Sequence, residues 1–137
     1  LANVLGMTIF ALWTGWLVIY FTRVFGMTAV EANAWAPIPQ FLGYTGSIVG
    51  GAASWWLIRR GWEPIVARRR VCLVAAIGMT VTALVPRTNS PLEAVAAISL
   101  SSFASSLWGV NLYTMPLDAY GSNRAAFAVS LLTAGYG

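Results

Sequence analysis

Residues Ala53 to Arg70 read ASWWLIRRGWEPIVARRR and hold five of the chain's eight arginines, between two long apolar segments. Loops rich in Arg stay on the cytoplasmic side of a bilayer, so this is the pattern of a loop joining two membrane helices. The chain reads as a membrane protein with a legible orientation.

Composition leads to the same reading. Hydrophobic residues make up 58% and charged residues 9%, with a mean hydropathy of +0.72, against about a quarter charged in an ordinary soluble domain. The 137 residues leave room for four or five spans of about 20 residues each. One transmembrane domain over 1–137 is expected, without a soluble domain or linker. The net charge of +4 is confined to loops and no basic face interleaves with stacking aromatics, so no nucleic-acid partner is expected. Cys72 is the single cysteine and histidine is absent, which excludes a disulfide framework, cysteine-based or His-ligated metal sites and His-dependent catalysis. No cofactor and no enzymatic activity are expected, since the many serines have no His or Lys partner.

The chain opens on Leu1, its first apolar run lacks the basic start and cleavage site of a signal peptide, and it stops at Gly137 inside an apolar run. It is expected to be a fragment of something longer. Spans are expected at about 3–22, 34–58, 71–86, 93–117 and 125–137, the last cut short. The polar patch around Thr28, Glu31 and Asn33 reads as a turn, and the third span is short unless it extends back into the arginine loop. Assigning loop 59–70 to the cytoplasm puts Arg59, Arg60, Arg68, Arg69, Arg70 and Arg124 inside and Arg23 and Arg87 outside, six against two. The first span then starts in the cytoplasm, which calls for either preceding helices or an unusual amino terminus; preceding helices are the expectation.

In the second span Gly43, Gly46, Ser47, Gly50 and Gly51 form a face without bulk. Small residues let helices approach closely in lipid. Tight packing is one reading of this face, and a surface sliding against another bundle is the other. Trp13, Trp16 and Tyr20 recur at helical spacing in the first span. Trp13 and Trp16 lie near mid-span, where their ring N–H groups need a partner in a packed bundle or a cavity. The fourth span carries Ser99, Ser101, Ser102, Ser105, Ser106, Asn111, Tyr113 and Thr114. Asn111 has to face the bundle interior or a wet pathway, because an unpartnered amide in hydrocarbon costs a few kcal/mol. Trp108, Asn111 and Thr114 or Met115 share one stripe that a sugar-like or carboxylate ligand could use; interhelical hydrogen bonding explains it equally well. Span interiors carry no charge, so groups for ion coupling are expected elsewhere.

The loop motif GGAASWWLIRRGWEPIVARRR and the later WGVNLYTMPLDAYG together resemble the carboxy-terminal half of major facilitator superfamily transporters of the anion:cation symporter family, in particular the hexuronate-transporter branch. The first is similar to the family's GG-x-x-SDRLIRRGW loop between helices eight and nine, the second to its NLYTLPSDLFP stretch at the end of helix ten. Asn111, Tyr113, Thr114, Pro116 and Asp118 carry the second match, and Trp16 and Tyr20 match the aromatic pattern of helix seven. The resemblance implies an all-α, polytopic bundle of about helices seven to eleven within two six-helix halves. It also implies alternating access, and uptake of an organic anion with a coupling cation, a proton or sodium. It departs at Trp55 and Trp56, where the family has Asp and Arg, at Gly121 and Ser122 in place of Pro and Arg, and at Val18 in place of a proline.

The expectation is thus a multi-pass transporter of the inner (plasma) membrane, with the lipid bilayer and an amino-terminal helical bundle as partners, carrying a hexuronate or other sugar acid. Trp13, Trp16, Tyr20, Trp108, Asn111 and Thr114 are the substrate-pocket candidates. Gly50, Gly51, Arg59, Arg60 and Asp118 are the candidates for cytoplasmic gating. Two rivals remain: another solute on the same fold, such as phosphate, a sugar phosphate or a drug-like compound, and a non-transporting membrane sensor or scaffold.

Overall fold

A computed structural model describes residues 2–134, without the side chains of residues 2–5, 122 and 123. Its elements are α1 (Ala2–Val24), α2 (Ala29–Trp35), α3 (Pro37–Arg59), α4 (Pro64–Met79), a 3₁₀ segment (Thr80–Arg87), α5 (Pro91–Tyr120) and α6 (Ser122–Ala134). Among the described residues there is no strand. This is the arrangement apolar chains adopt in lipid, where a helix bonds every backbone group within itself. Three helices are long and apolar enough to cross a membrane: 6–24, 64–87 and 91–120. The chain is therefore an all-α, multi-pass membrane bundle. α3 is as long as α1, at 23 residues, but its glycines and prolines and Gln40 dilute its apolar content.

The boundaries follow local chemistry. The patch around Thr28 is a helix, not a turn. Thr28 caps α2: the Thr28 hydroxyl accepts from the Glu31 N–H, and the Glu31 carboxylate accepts from the Thr28 N–H at 2.8 Å. That reciprocal pair satisfies two otherwise orphaned donors and nucleates a short helix. The second long helix consequently starts at Pro37 rather than Ala34. Pro64 opens α4 inside the arginine loop, so α4 reaches back through Arg68, Arg69 and Arg70. Past Met79 the chain tightens into 3₁₀ geometry up to Arg87, with Pro86 inside it; proline removes a donor that an α-helix would use. α5 runs through Pro116 and ends at Gly121, whose φ of 70° favours a residue without Cβ. Residues 135–137 of the expected fifth span lie outside the described residues.

α5 is the central element, packed by α3 and α4 and then by α1, the 3₁₀ segment and α6. Its span is 61% buried, against 17% for the span in α1, and that position explains its composition. Ser99, Ser101, Ser102, Ser105 and Asn111 are buried: small side chains let neighbouring helices come close, and Ser105 and Asn111 donate to the carbonyls of Ser102 and Gly50. Two apolar clusters flank it. One joins Trp13, Leu17 and Phe21 of α1 to Val85, Ala94, Val95 and Ile98; the other joins Ala75 and Met79 of α4 to Ala104 and Trp108.

Candidate functional site

The glycine face of α3 is spent inside the bundle. A Cβ at Gly50 would stand 2.9 Å from the Leu107 carbonyl oxygen, and one at Gly46 would run into the Phe103 carbonyl. Both obstacles are α5 backbone, so α3 and α5 meet main chain to main chain. Gly51 has open space around its Cβ position. Across this seam the Asn111 amide donates to the Gly50 carbonyl at 3.0 Å and to Leu107 O, one turn back on α5, at 2.9 Å. Asn111 is fully buried and its Oδ1 has no partner in the structure.

The same seam continues to the arginine-loop end. Ser54, also buried, donates to the carbonyls of Gly50 and Gly51 at 3.2 and 3.0 Å. Arg68 donates to Ser54 Oγ at 3.4 Å through Nη1 and pairs with Asp118 through Nε. Arg68 of α4 thereby ties α3 to α5. Its side chain and that of Asp118 are 16% and 18% exposed, so the pair is partly sheltered from solvent. Arg68 and Ser54 were not among the sequence candidates. No local pattern signals them, because Arg68 and Asp118 lie 50 positions apart.

Trp55 and Trp56, at the positions of the family's Asp and Arg, are both largely exposed. Arg59 lies over the Trp55 ring at 4.9 Å and Arg60 over Trp56 at 3.6 Å. These two gating candidates are thus engaged in cation–π contacts, whereas Asp118 belongs to the three-helix tie.

The pocket candidates separate into several places. Trp13 donates from Nε1 to Thr82 Oγ1 at 3.2 Å, and Thr82 in turn bonds the Ser101 hydroxyl. Tyr20 donates to the Val85 carbonyl at 3.1 Å, with its ring edge-on to Trp13 at 5.9 Å. The polar groups of both rings are therefore used in holding α1 to the 3₁₀ segment. Trp16 is 60% exposed on another side of α1. Thr114 bonds back to Val110 O and Asn111 O of its own helix.

Trp108 does line a cleft. Its ring sits against Gly6, where a Cβ would overlap it, and borders a cavity of about 230 Å³ between α1, α3 and α5. Ser47, Ser105, Ser106 and Tyr113 line the same cavity. Met7, Phe10 and Val110 line it as well, so the lining is mainly apolar with a few hydroxyl-bearing residues beside the indole, and the Ser105 hydroxyl donates to Ser102 O of its own helix at 3.0 Å. A largely apolar pocket with a few polar groups is what a small-molecule site usually offers. Ser47 and Tyr113 come to this wall from helices 66 positions apart in sequence, so only the packing of α3 on α5 brings them together. A second, smaller cavity of about 40 Å³ runs beside Trp13, Gln40 and Ser102. Among the described residues no group of three or more His, Cys, Asp or Glu comes together.

Fold and cleft together define a multi-pass helical membrane protein with an opening between three helices, lined by apolar residues and a few hydroxyl-bearing ones. The chain is similar to proteins named as sugar-acid transporters. It is 27% identical over 106 residues to the "Probable L-galactonate transporter" of Escherichia coli strain K12, covering 72% of this chain and 23% of that protein. It is 27% identical over 118 residues to the "Probable galactarate/D-glucarate transporter GarP" of the same strain, covering 83% and 27%. It is 26% identical over 117 residues to the "Probable galactarate/D-glucarate transporter GudP" of Bacillus subtilis strain 168, covering 82% and 26%. The chain spans about a quarter of the length of these relatives. No family model and no solved structure matches. The resemblance carried by the two motifs is borne out, and the relatives extend it over most of the chain.

Proposed function

We propose that this chain is part of a secondary active transporter that moves a six-carbon sugar acid across the membrane with a coupled cation, a proton or sodium, by alternating access. The observation that carries the reading is the similarity to proteins named for galactonate, galactarate and glucarate transport, in a chain whose inter-helix cavity brings Ser47, Ser105, Ser106 and Tyr113 beside Trp108. The cavity wall supplies donors and acceptors for the solute's hydroxyl groups. A second bundle would supply the facing wall and the charges that meet the carboxylate and the coupling ion. On this reading α1 and α3 to α6 correspond to helices seven to eleven of twelve. The arginine loop faces the cytoplasm of the inner (plasma) membrane, and the Arg68–Asp118–Ser54 tie steadies that face while it is closed. The relatives' names move the favoured substrates from hexuronates toward aldonates and aldarates, whose open chains present hydroxyls along their whole length.

The test is uptake of labelled galactonate, galactarate and glucuronate by the full-length protein in vesicles, with and without an inward proton or sodium gradient. Accumulation of one of these acids that collapses with the gradient supports the reading. A folded protein that accumulates none of them under either gradient refutes it. Paired Ser105→Ala and Ser106→Ala substitutions then locate the wall, with apparent affinity expected to weaken about tenfold, the equivalent of about 1.4 kcal/mol.

A further inference from the structure

α4 and α5 are held together near Met79 and again by the Arg68–Asp118 pair at the arginine-loop end, with a groove along one side of the seam. Near Met79 a Cβ on Gly78 would lie 2.9 Å from that of Ala104. Toward the arginine loop the two helices leave a groove of about 580 Å³. On α4 its wall is the stripe Val66, Arg69, Arg70 and Leu73, at the i, i+3, i+4, i+7 spacing of one helix face. Leu112 and Met115 face it from α5.

The groove is amphipathic along the α4 axis. Val66 lies nearest the loop, the exposed guanidinium groups of Arg69 and Arg70 follow one turn in, and deeper toward Leu73, itself 62% exposed, the groove is apolar. Arg70 leans over the Trp62 ring at 5.2 Å, and Trp55 and Trp56 stand exposed at the same end. Tryptophans of this kind mark the headgroup level. The carboxylates close to this end are Glu63 and Asp118, and Asp118 is taken by Arg68. Among the described residues Arg69 and Arg70 have no ion-pair partner.

We infer that this groove binds one anionic phospholipid, with its phosphate between Arg69 and Arg70 and the upper part of an acyl chain against Leu73, Leu112 and Met115. Charge complementarity selects this occupant. An apolar helix laid over the groove would cover two unpaired guanidinium groups at a cost of several kcal/mol. A lipid phosphate pairs with them while its chain covers the apolar floor, and guanidinium suits phosphate through its forked donors. Basic residues next to a membrane helix attract anionic lipid by the same means. Such a lipid would wedge α4 and α5 apart next to the Arg68–Asp118 pair, which gives the bilayer's anionic fraction a direct hold on the cytoplasmic tie.

The test is native mass spectrometry of the full-length protein released from nanodiscs of phosphatidylcholine alone or with phosphatidylglycerol. Retention of phosphatidylglycerol is expected, reduced about tenfold or more in Arg69→Gln/Arg70→Gln. Both arginines are exposed, so this variant is expected to fold. Met115→Trp, which fills the apolar floor but leaves the charges, is expected to reduce retention as well. Equal retention of phosphatidylglycerol by the double Gln variant, or equal retention of phosphatidylcholine by the unaltered protein, would overturn the assignment. Displacement of the lipid by millimolar inorganic phosphate would overturn it too, because the apolar floor would then contribute nothing.

Discussion

α5 is packed by α3 on one side and α4 on the other, and the two seams are built on opposite terms. Against α3 it meets glycine, so the backbones touch at Gly46 and Gly50 and the polar contacts run from Asn111 to main-chain carbonyl. Against α4 the helices are held by side chains, with Ala75, Met79 and Ala104 at one end and the Arg68–Asp118 pair at the other, and a groove opens in between. A backbone seam has no slack, because neither partner can rotate out of the way. A side-chain seam can open and close by changing rotamers and ion pairs. In a transporter of the proposed kind, α3 and α5 would therefore move as one body, while the α4 seam is where the bundle can breathe.

The sharpest way to break that contrast is to put bulk into the tight seam. Gly46→Leu is expected to destabilise the full-length protein by on the order of 3 kcal/mol, since the obstacle is the Phe103 main chain and cannot yield. Gly51→Ala, where nothing stands within 4 Å, is expected to be neutral or up to about 1 kcal/mol stabilising. Thermal unfolding of both variants in detergent reads the difference, and equal losses would mean that the two glycines do not face different surroundings.

Asn111→Ala comes next. It removes the hydrogen bond that crosses from α5 to Gly50 O, at an expected cost of about 1–2 kcal/mol. If Asn111 acts through packing, stability and uptake fall together; if it acts in the pocket, apparent affinity falls at unchanged stability. Unchanged uptake rate, affinity and melting temperature would remove Asn111 from both roles.

The α4 seam is expected to respond more weakly to a comparable insult. Arg68→Gln or Asp118→Asn should cost about 1 kcal/mol for a pair that is partly exposed, while shifting the balance between inward- and outward-facing states. Accessibility labelling at the two membrane faces would follow that shift. The exchanged pair Arg68→Asp with Asp118→Arg should restore much of the balance, and failure of the exchange would mean that the geometry around Ser54 matters more than the charge.

The smallest effect lies outside both seams, at the α2 cap. The Thr28 backbone N–H, and then its hydroxyl, hold the exposed Glu31 carboxyl below its ordinary pKa. A depressed folded pKa contributes stability that is present above the unfolded carboxylate value and is lost as pH falls through the folded one. The protection factors of the α2 amides, that is, exchange rates corrected for their intrinsic pH dependence, should therefore fall as the pH drops through the carboxylate range. Thr28→Ala should lower them at neutral pH and flatten their pH dependence.

Much of this architecture was legible from residues alone because lipid imposes a severe rule: apolar runs of the right length have to be helices, and their flanking arginines mark the loops. Asn111 was legible too, as an amide that could not face hydrocarbon. The Thr28 to Glu31 capping box is present in the sequence, but a seven-residue helix leaves no periodic apolar pattern to set it apart from a turn. The aromatic stripe of α1 divides in the structure. Trp13 and Tyr20, seven positions apart, point inward together, while Trp16 falls about 60° around the helix and lies exposed.

By itself the sequence determined the medium, the helical class and the charged end of the molecule, because hydropathy and Arg placement act locally and need no partner. The tertiary structure decided which side chains share a site. Ser47 with Tyr113, Ser54 with Arg68 and Asp118, and Arg70 with Met115 meet only because α5 lies between α3 and α4. Contacts between helices depend on rotation and crossing geometry, set by the sum of many small packing terms that no single stretch of sequence contains.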